Sequence, residues 1–306
     1  MTTAPLERDP PRGTPVLDAA KSALSSVGIL PVLLVVAVVF FASQEARFYG
    51  TGNITNVLRQ STFLVIVTLG QALVLISGGF DLSVGAVIAV TSVVTARYMA
   101  NFYAANPEPF IMTLGMASVG GGFALWYTGG SPVSGMPPLF TRTMGTGEWF
   151  GIDVPIYFAI GATLLVMFLI SATPWGRYVY AIGGNTKAAY LSGIPVGVYT
   201  ASVYVMCSLL AALSGILLTA RTSSGEPNLG TEYPLESITA AVIGGVSLRG
   251  GEGRIIGAVL GAIFIRLLQN GMNLIRIESY IQTIAIGVIL ILAVVFDRVR
   301  DRWRVA

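Results

Sequence analysis

The sequence contains little charge, one cysteine and no histidine, and each shortage excludes a class of site or protein. Charged residues make up 11% of the 306 residues and hydrophobic residues 54%, whereas a soluble domain carries about 25% charged residues. Cys207 has no second cysteine, which excludes an internal disulfide. Without histidine, the usual zinc and copper sites are missing too. We therefore expect a membrane protein with no metal site and no cofactor.

Long apolar runs fill most of the chain. A run of about 18 or more residues can cross a hydrocarbon core of about 30 Å. A shorter apolar piece at 235–248 follows Pro234 and predicts either a steep short span or a re-entrant element. The longer runs lie near 27–43, 56–77, 81–99, 110–127, 154–171, 198–219, 255–275 and 279–296. The sequence thus predicts an all-α, polytopic helical integral membrane protein of about 9 spans.

The basic residues indicate an orientation rather than an affinity for nucleic acid, because they are scattered at the ends of the apolar runs. We divide the chain into an N-terminal tail 1–26, a transmembrane domain 27–297 and a basic tail 298–306. Both tails are expected in the cytoplasm, as is the loop 172–197, by the positive-inside rule. An odd number of spans cannot put both ends on one side, so one segment is either miscounted or missing. The basic residues used are Arg8, Arg12, Lys21, Arg177, Lys187, Arg298, Arg300, Arg302 and Arg304.

The loop 172–197 has too much pattern for a plain linker. Gly183 and Gly184 interrupt it, Asn185 is a suitable N-cap for a short helix, and Gly193 then ends that helix before Pro195. A short helix held on the cytoplasmic face suits docking into a groove on a partner protein. The alternative is a membrane-surface helix that only stabilises the topology.

The segment SGGFDLSVG places a lone carboxylate, Asp81, between two apolar runs. A charge within a membrane costs a few kcal/mol, so it is by default functional or closely partnered. Together with Ser77, Gly78 and Gly79 it could form part of the translocation pathway or its gate. The structural alternative, which we favour, is that Asp81 caps the following helix.

Small and polar residues also mark the run at 255–275. Gly253, Gly257 and Gly261 are spaced four apart, which lets a neighbouring backbone approach closely. We favour static helix packing over a sliding contact for them. Asn270 could line a polar path or cap its own helix.

Three motifs taken together resemble the permease subunit of monosaccharide ABC importers of the ribose, xylose, arabinose and galactose type. That family is related more distantly to the branched-chain amino acid permeases. The similarity runs from about Asn53 to Asp297. The motifs are SGGFDLSVG, YAIGGNTKAAYLSGI and ITAAVIGGVSLRGGEGRIIGAVLGA.

The resemblance implies a transport subunit of the bacterial cytoplasmic (inner) membrane that is not itself an enzyme. Its partners would be a separate ABC ATPase subunit, a substrate-binding protein on the outer face, a second permease subunit and membrane lipid. The ATPase must be another polypeptide, since the chain has no phosphate-binding loop of the G-x-x-x-x-G-K-[ST] type. The resemblance also implies that the segment 181–196 is the coupling helix that inserts into the ATPase. Its matching positions are Gly183, Gly184, Asn185, Ala188, Ala189 and Gly193.

The chain departs from the family pattern of about 10 spans, because a glycine-rich span is missing near 100–109. The family's span count would restore the parity that the charges require. Other functions remain open: a permease for branched-chain amino acids or nucleosides, or, in a different class, an ion-coupled secondary transporter. The latter would need inverted repeats and ion-coupling residues within the membrane.

Overall fold

Helices make up almost all of the structure, since a backbone inside lipid must satisfy its hydrogen bonds internally. The computed structural model describes residues 29–87 and 109–305. The helices are α1 (Leu30–Gln44), α2 (Thr51–Ile76), α3 (Val84–Val87), α4 (Pro109–Thr128), α5 (Pro138–Phe140), α6 (Val154–Ala172), α7 (Pro174–Gly184), α8 (Thr186–Leu191), α9 (Val196–Thr222), α10 (Tyr233–Ile243), α11 (Ile255–Leu274) and α12 (Ser279–Val305). A 3₁₀ turn (Ala46–Tyr49), a π-helical turn (Thr141–Gly145) and a small hairpin of β1 (Glu148–Trp149) and β2 (Ile152–Asp153) complete the described chain.

Four of the described helices, α2, α6, α9 and α11, are long and apolar enough to cross a membrane. The helix α1 and the Ser279–Val295 part of α12 are shorter apolar helices. This is the polytopic helical membrane fold that the composition predicted. The N-terminal tail 1–26, most of the run 81–99 and the missing span near 100–109 lie outside the described residues. The basic tail is a continuation of α12, which runs to Val305.

The helix α2 lies at the centre of the fold. Every residue from Ser61 to Ser77 is buried, as expected for a helix that is apolar on all sides. It packs against α6, α9, α10 and α11. Against α9 the backbones approach closely, since a β-carbon added at Gly70 would lie 2.9 Å from Cys207 Cα. The Ser214 hydroxyl on α9 also donates to Phe63 O over 3.1 Å.

The helix α10 is half the length of a membrane span. Its 11 residues rise about 16 Å, which is about half of the hydrocarbon core. The chain then turns, and α11 runs back along α10. As a result, Gly244 faces Gly257 and Ala240 faces Gly261. The apolar piece at 235–248 therefore holds a short helix, and its two predicted forms in a membrane, a steep span or a re-entrant element, stay predictions.

The predicted face of three glycines is wrong at one position. Gly257 and Gly261 lie on α11 and pack against the α10 backbone. Gly253 precedes α11, which begins at Ile255, and its neighbours are the side chains of Ile76 and Val246. The four-residue spacing continues through Gly253 in the sequence, but the helix does not.

Candidate coupling and gating site

The loop 172–197 folds into two helices separated by Asn185. The Asn185 backbone is extended, and its side-chain Oδ1 accepts a hydrogen bond from the Ala188 N–H over 2.9 Å. The side chain therefore satisfies one of the free amides at the start of α8. Gly193 follows α8 with a φ of +82°, which reverses the chain before α9. The N-cap and the stop that the sequence predicted are both present.

One face of the helix α8 is exposed on the protein surface, and the opposite face packs against the rest of the chain. Tyr190 and Leu191 are 70% and 76% exposed, and Lys187 and Ala188 are exposed beside them. Ala189 points the other way, against Ile182 and Val196. We call the exposed set Lys187, Ala188, Tyr190 and Leu191 the docking face.

The docking face corrects the predicted set of coupling residues in two places. Ala189 is only 5% exposed, so its side chain cannot contact another protein while α8 keeps this position. Leu191 was not predicted, although its side chain is 76% exposed. A helix of six residues is too short for its apolar period to indicate which side faces inward.

Gly183 and Gly184 also differ in whether they face the rest of the protein or open space. A β-carbon at Gly183 would overlap the Ile76 carbonyl oxygen and lie 2.5 Å from Gly251 N, whereas a β-carbon at Gly184 would have no neighbour within 4 Å. The Gly251 N–H itself donates to Ile76 O over 2.8 Å. Gly183 is thus required by the packing inside the subunit.

A second glycine contact lies next to the first. A β-carbon at Gly250 would lie 2.7 Å from Gly78 Cα and 2.8 Å from Gly183 O. Three turns that are far apart in sequence therefore meet backbone to backbone: the end of α2, the end of α7 and the turn before α11. We call the residues Ile76, Gly78, Gly183, Gly250 and Gly251 the glycine junction.

Two aromatic side chains hold α7 against the rest of the protein. The Tyr180 hydroxyl donates to Gly253 O over 2.7 Å, and Trp175 Nε1 donates to Ser202 Oγ on α9 over 2.7 Å. Partial burial raises the pKa of Tyr180, so its hydroxyl keeps its proton and remains a donor at neutral pH. Neither anchor was identified in the sequence, because nothing in a sequence pairs these residues.

The segment after α2 is a tight turn. The Ser77 hydroxyl donates to Val74 O over 2.7 Å, and Gly78 has a φ of +85°. Gly79 lies against Tyr204 of α9, where a β-carbon would overlap the hydroxyl. That hydroxyl also donates to Phe80 O over 3.3 Å. Of the three predicted gate positions, Ser77 is buried and Gly79 packs against Tyr204, whereas Gly78 is exposed in this conformation.

Asp81 is buried at the end of this turn and acts as a local acceptor. Its Oδ1 accepts from the Ser83 N–H over 2.8 Å and from the Ser83 hydroxyl over 2.6 Å. The helix begins at Val84, three residues later than predicted, so Asp81 precedes it instead of occupying its first position.

Asn270 lies far from the glycine junction along α11. Its Oδ1 accepts from Asn53 Nδ2 over 2.9 Å, and the same Nδ2 donates to Phe48 O over 2.9 Å. This links α11 to the start of α2. The role of Asn270 in a pathway stays a prediction.

A buried polar triad joins α10 to α11. Arg266 Nη2 lies 2.7 Å from Glu236 Oε2, Gln269 Nε2 donates to Glu236 Oε1 over 2.7 Å, and Arg266 Nη1 donates to Gln269 Oε1 over 2.6 Å. The Arg266 guanidinium also lies 5.3 Å from the centre of the Tyr233 ring. A basic residue within an apolar helix needs a partner, and Glu236 is the partner of Arg266.

Comparison with known proteins shows what the chain is similar to. Residues 105–294 match a family model described as branched-chain amino acid transport system / permease component. The ribose import permease protein RbsC of Bacillus subtilis is 35% identical over 291 residues, covering 87% of this chain and 90% of that protein. The galactose/methyl galactoside import permease protein MglC of Escherichia coli is 33% identical over 322 residues, covering 90% and 95%. The probable ABC transporter permease protein y4mJ of Sinorhizobium fredii is 34% identical over 307 residues, covering 92% and 91%. No solved structure matches the chain.

Proposed function

This chain belongs to the family of branched-chain amino acid transport system permease components, among the monosaccharide permeases, and we propose that it is the membrane subunit of an ATP-driven ABC importer. In this proposal two permease subunits enclose the pathway, and a binding protein delivers a monosaccharide to the outer face. A separate ATPase on the cytoplasmic face supplies the energy. The membrane is the bacterial cytoplasmic (inner) membrane.

The observation that carries the proposal is the docking face of α8. The helix α8 is short and capped, exposes two large side chains, Tyr190 and Leu191, and is held on its other side by apolar packing. Exposed apolar side chains on a fixed helix are typical of a surface that another protein covers. We assign this surface to the ATPase. In this assignment, the end of the protein that contains the glycine junction faces the cytoplasm.

We infer the substrate class from the names of the relatives. Their names specify ribose and galactose or methyl galactoside, which favours a monosaccharide over other small polar solutes. The family model's description favours a second candidate, a branched-chain amino acid. The Asp81 turn does not decide between them, because its carboxylate is occupied by groups of the protein itself.

The mechanism we propose requires no covalent chemistry in this chain. Closure of the ATPases on ATP moves the α7–α8 segment, and that movement changes which side of the membrane the pathway opens to. ATP can drive this change only if the ATPase binds the two conformations of the permease with different affinities. The permease therefore needs a rigid connection between α8 and the helices that line the pathway.

The proposal is tested by co-expressing the chain with a sugar-importer ATPase of the same organism and purifying it in mild detergent. We expect the ATPase to co-purify with the wild-type chain and to be lost from an Ala188→Trp variant. Ser134→Trp, an exposed position in the loop before α5, is the matched control and should retain the ATPase. Absence of the ATPase from the wild-type preparation would overturn the proposal.

The substrate is tested with the same complex in lipid vesicles. The rate of ATP hydrolysis is measured with a sugar-binding protein and ribose, with the same protein and galactose, and with a leucine-binding protein and leucine. Stimulation by a sugar supports a monosaccharide permease. Stimulation by leucine alone would assign the chain to the second candidate.

A further inference from the structure

We propose that the glycine junction makes the α7–α8 segment, the end of α2 and the turn before α11 move as one body, with Gly183, Gly251 and Tyr180 as its positioning residues. This inference rests on the proposed function. It specifies how a movement of the docking face reaches the interior of the membrane domain.

The contacts at the junction are made by backbone atoms. Gly251 N–H donates to Ile76 O over 2.8 Å, and a β-carbon at Gly251 would lie 2.6 Å from Gly184 Cα. A side chain can change its rotamer when its neighbour moves, whereas a backbone in direct contact has no such freedom. A displacement of α7 is therefore passed on to Ile76 and Gly251 directly.

The Tyr180 hydroxyl adds a second link between the same two elements. It donates to Gly253 O over 2.7 Å, two residues beyond Gly251 in the same turn. The turn is thus held to α7 at both the middle and the end of the helix. Two separate contacts fix the orientation of the turn relative to α7 as well as its distance.

Ile76 and Gly251, which receive this movement, each connect to other parts of the membrane domain. From Ile76 the chain passes at once into the turn that carries Asp81, where Gly79 packs on Tyr204. From Gly251 the chain passes into α11, which contacts α10 closely through Gly257 and Gly261. The half-length helix α10 and the Asp81 turn therefore receive the same displacement.

These two recipients also contact each other. Gly85, in the helix that follows the Asp81 turn, lies against the Gly230 carbonyl and against Pro234 at the start of α10. The junction, the turn and α10 consequently form a closed set of contacts. A movement at α8 would shift α10 and the Asp81 turn together instead of opening a gap between them.

The alternative is that the α7–α8 segment only provides a docking surface, and that other helices carry the movement. The two possibilities are compared at Gly183, which faces the junction, and at Gly161 of α6, which faces open space. Disturbed packing alone would lower both the co-purification and the stimulation, whereas a loss of stimulation at unchanged co-purification is expected only if the junction carries the movement. The docking face is the same in both variants.

The test uses the complex of the chain with its ATPase in lipid vesicles, with Gly183→Ala and the control Gly161→Ala, at an exposed position of α6 where a β-carbon would have no neighbour within 4 Å. Two quantities are measured: the amount of ATPase that co-purifies, and the stimulation of ATP hydrolysis by the binding protein. For Gly183→Ala we expect co-purification close to that of the wild type and a loss of stimulation of about tenfold. Gly161→Ala should leave both quantities unchanged.

A second variant removes a group without adding bulk, in case Gly183→Ala does not fold. Tyr180→Phe deletes only the hydroxyl that reaches Gly253 O, and we expect stimulation to fall about threefold at unchanged co-purification. Its control is Tyr178→Phe, whose ring packs edge-on against Tyr199 with or without the hydroxyl.

The outcomes separate the inference from the proposed function. If no ATPase co-purifies with the wild-type chain, the proposed function fails. If the ATPase co-purifies and both Tyr180→Phe and Gly183→Ala keep the stimulation of the wild type, the junction does not carry the movement and the inference is wrong.

Discussion

Arg266 Nη2 on α11 lies 2.7 Å from Glu236 Oε2 on α10, and the two residues are 30 positions apart in the sequence. Both side chains are largely buried. Gln269 hydrogen-bonds to each of them and closes the triad. The pair therefore fixes the position of the half-length helix α10 against the helix that follows it.

Breaking this pair from one side should destabilise the protein more than removing both charges. Arg266→Met leaves Glu236 as a buried, uncompensated carboxylate, which costs about 3–5 kcal/mol. In the double variant Glu236→Gln, Arg266→Met no charge remains, and the amide at 236 can still bond Gln269. We expect thermal unfolding in detergent to show a large loss for the single variant and a smaller one for the double variant. Equal losses would contradict a role for the charge pair.

The N-cap of α8 should support docking of the ATPase. Asn185→Ala removes the acceptor of the Ala188 N–H and costs the helix about 1 kcal/mol, which corresponds to about a fivefold weaker association if α8 must be folded to dock. Asn185→Asp retains the acceptor and is the control. The measurement is the affinity of the purified ATPase for the wild-type chain and for each variant at the same salt concentration. Similar weakening by both variants would show that the asparagine acts by some means other than capping.

The contact of α10 with α11 should tolerate no side chain at Gly261. A β-carbon there would overlap the Ala240 carbonyl oxygen, whereas at Gly287 of α12 it would meet nothing within 4 Å. In a helix, alanine is otherwise preferred over glycine by about 1 kcal/mol. We expect Gly261→Ala to lower the thermal midpoint in detergent and Gly287→Ala to leave it unchanged or raise it. A neutral Gly261→Ala would mean that α10 and α11 separate easily.

Asp81 should be needed as an acceptor and not as a charge. Asp81→Asn keeps an oxygen for the Ser83 N–H, while Asp81→Ala leaves that buried group without its acceptor, which costs about 1–3 kcal/mol. We expect the first variant to fold and to support binding-protein-stimulated ATP hydrolysis, and the second to be destabilised. If Asp81→Asn folds normally but loses the stimulation, the charge has a role in gating.

The sequence by itself determined the class of the protein, its partition into apolar helices and several local features. These features depend on composition or on neighbours within a few residues: the long runs, the cap at Asn185, the stop at Gly193 and the short piece at 235–248. Each is decided by the cost of exposing backbone groups or apolar side chains, and that cost can be estimated from local sequence. The three motifs also indicated the permease family.

Only the tertiary structure decided which of these features touch. A glycine in the sequence indicates that a close approach is possible, but it does not identify the backbone that approaches. Gly183 and Gly184 look alike in the sequence, yet one is enclosed by Ile76 and Gly251 and the other is open. The pairing of Arg266 with Glu236 follows from the same cause, because it depends on how two helices pack against each other and not on neighbours within a few residues.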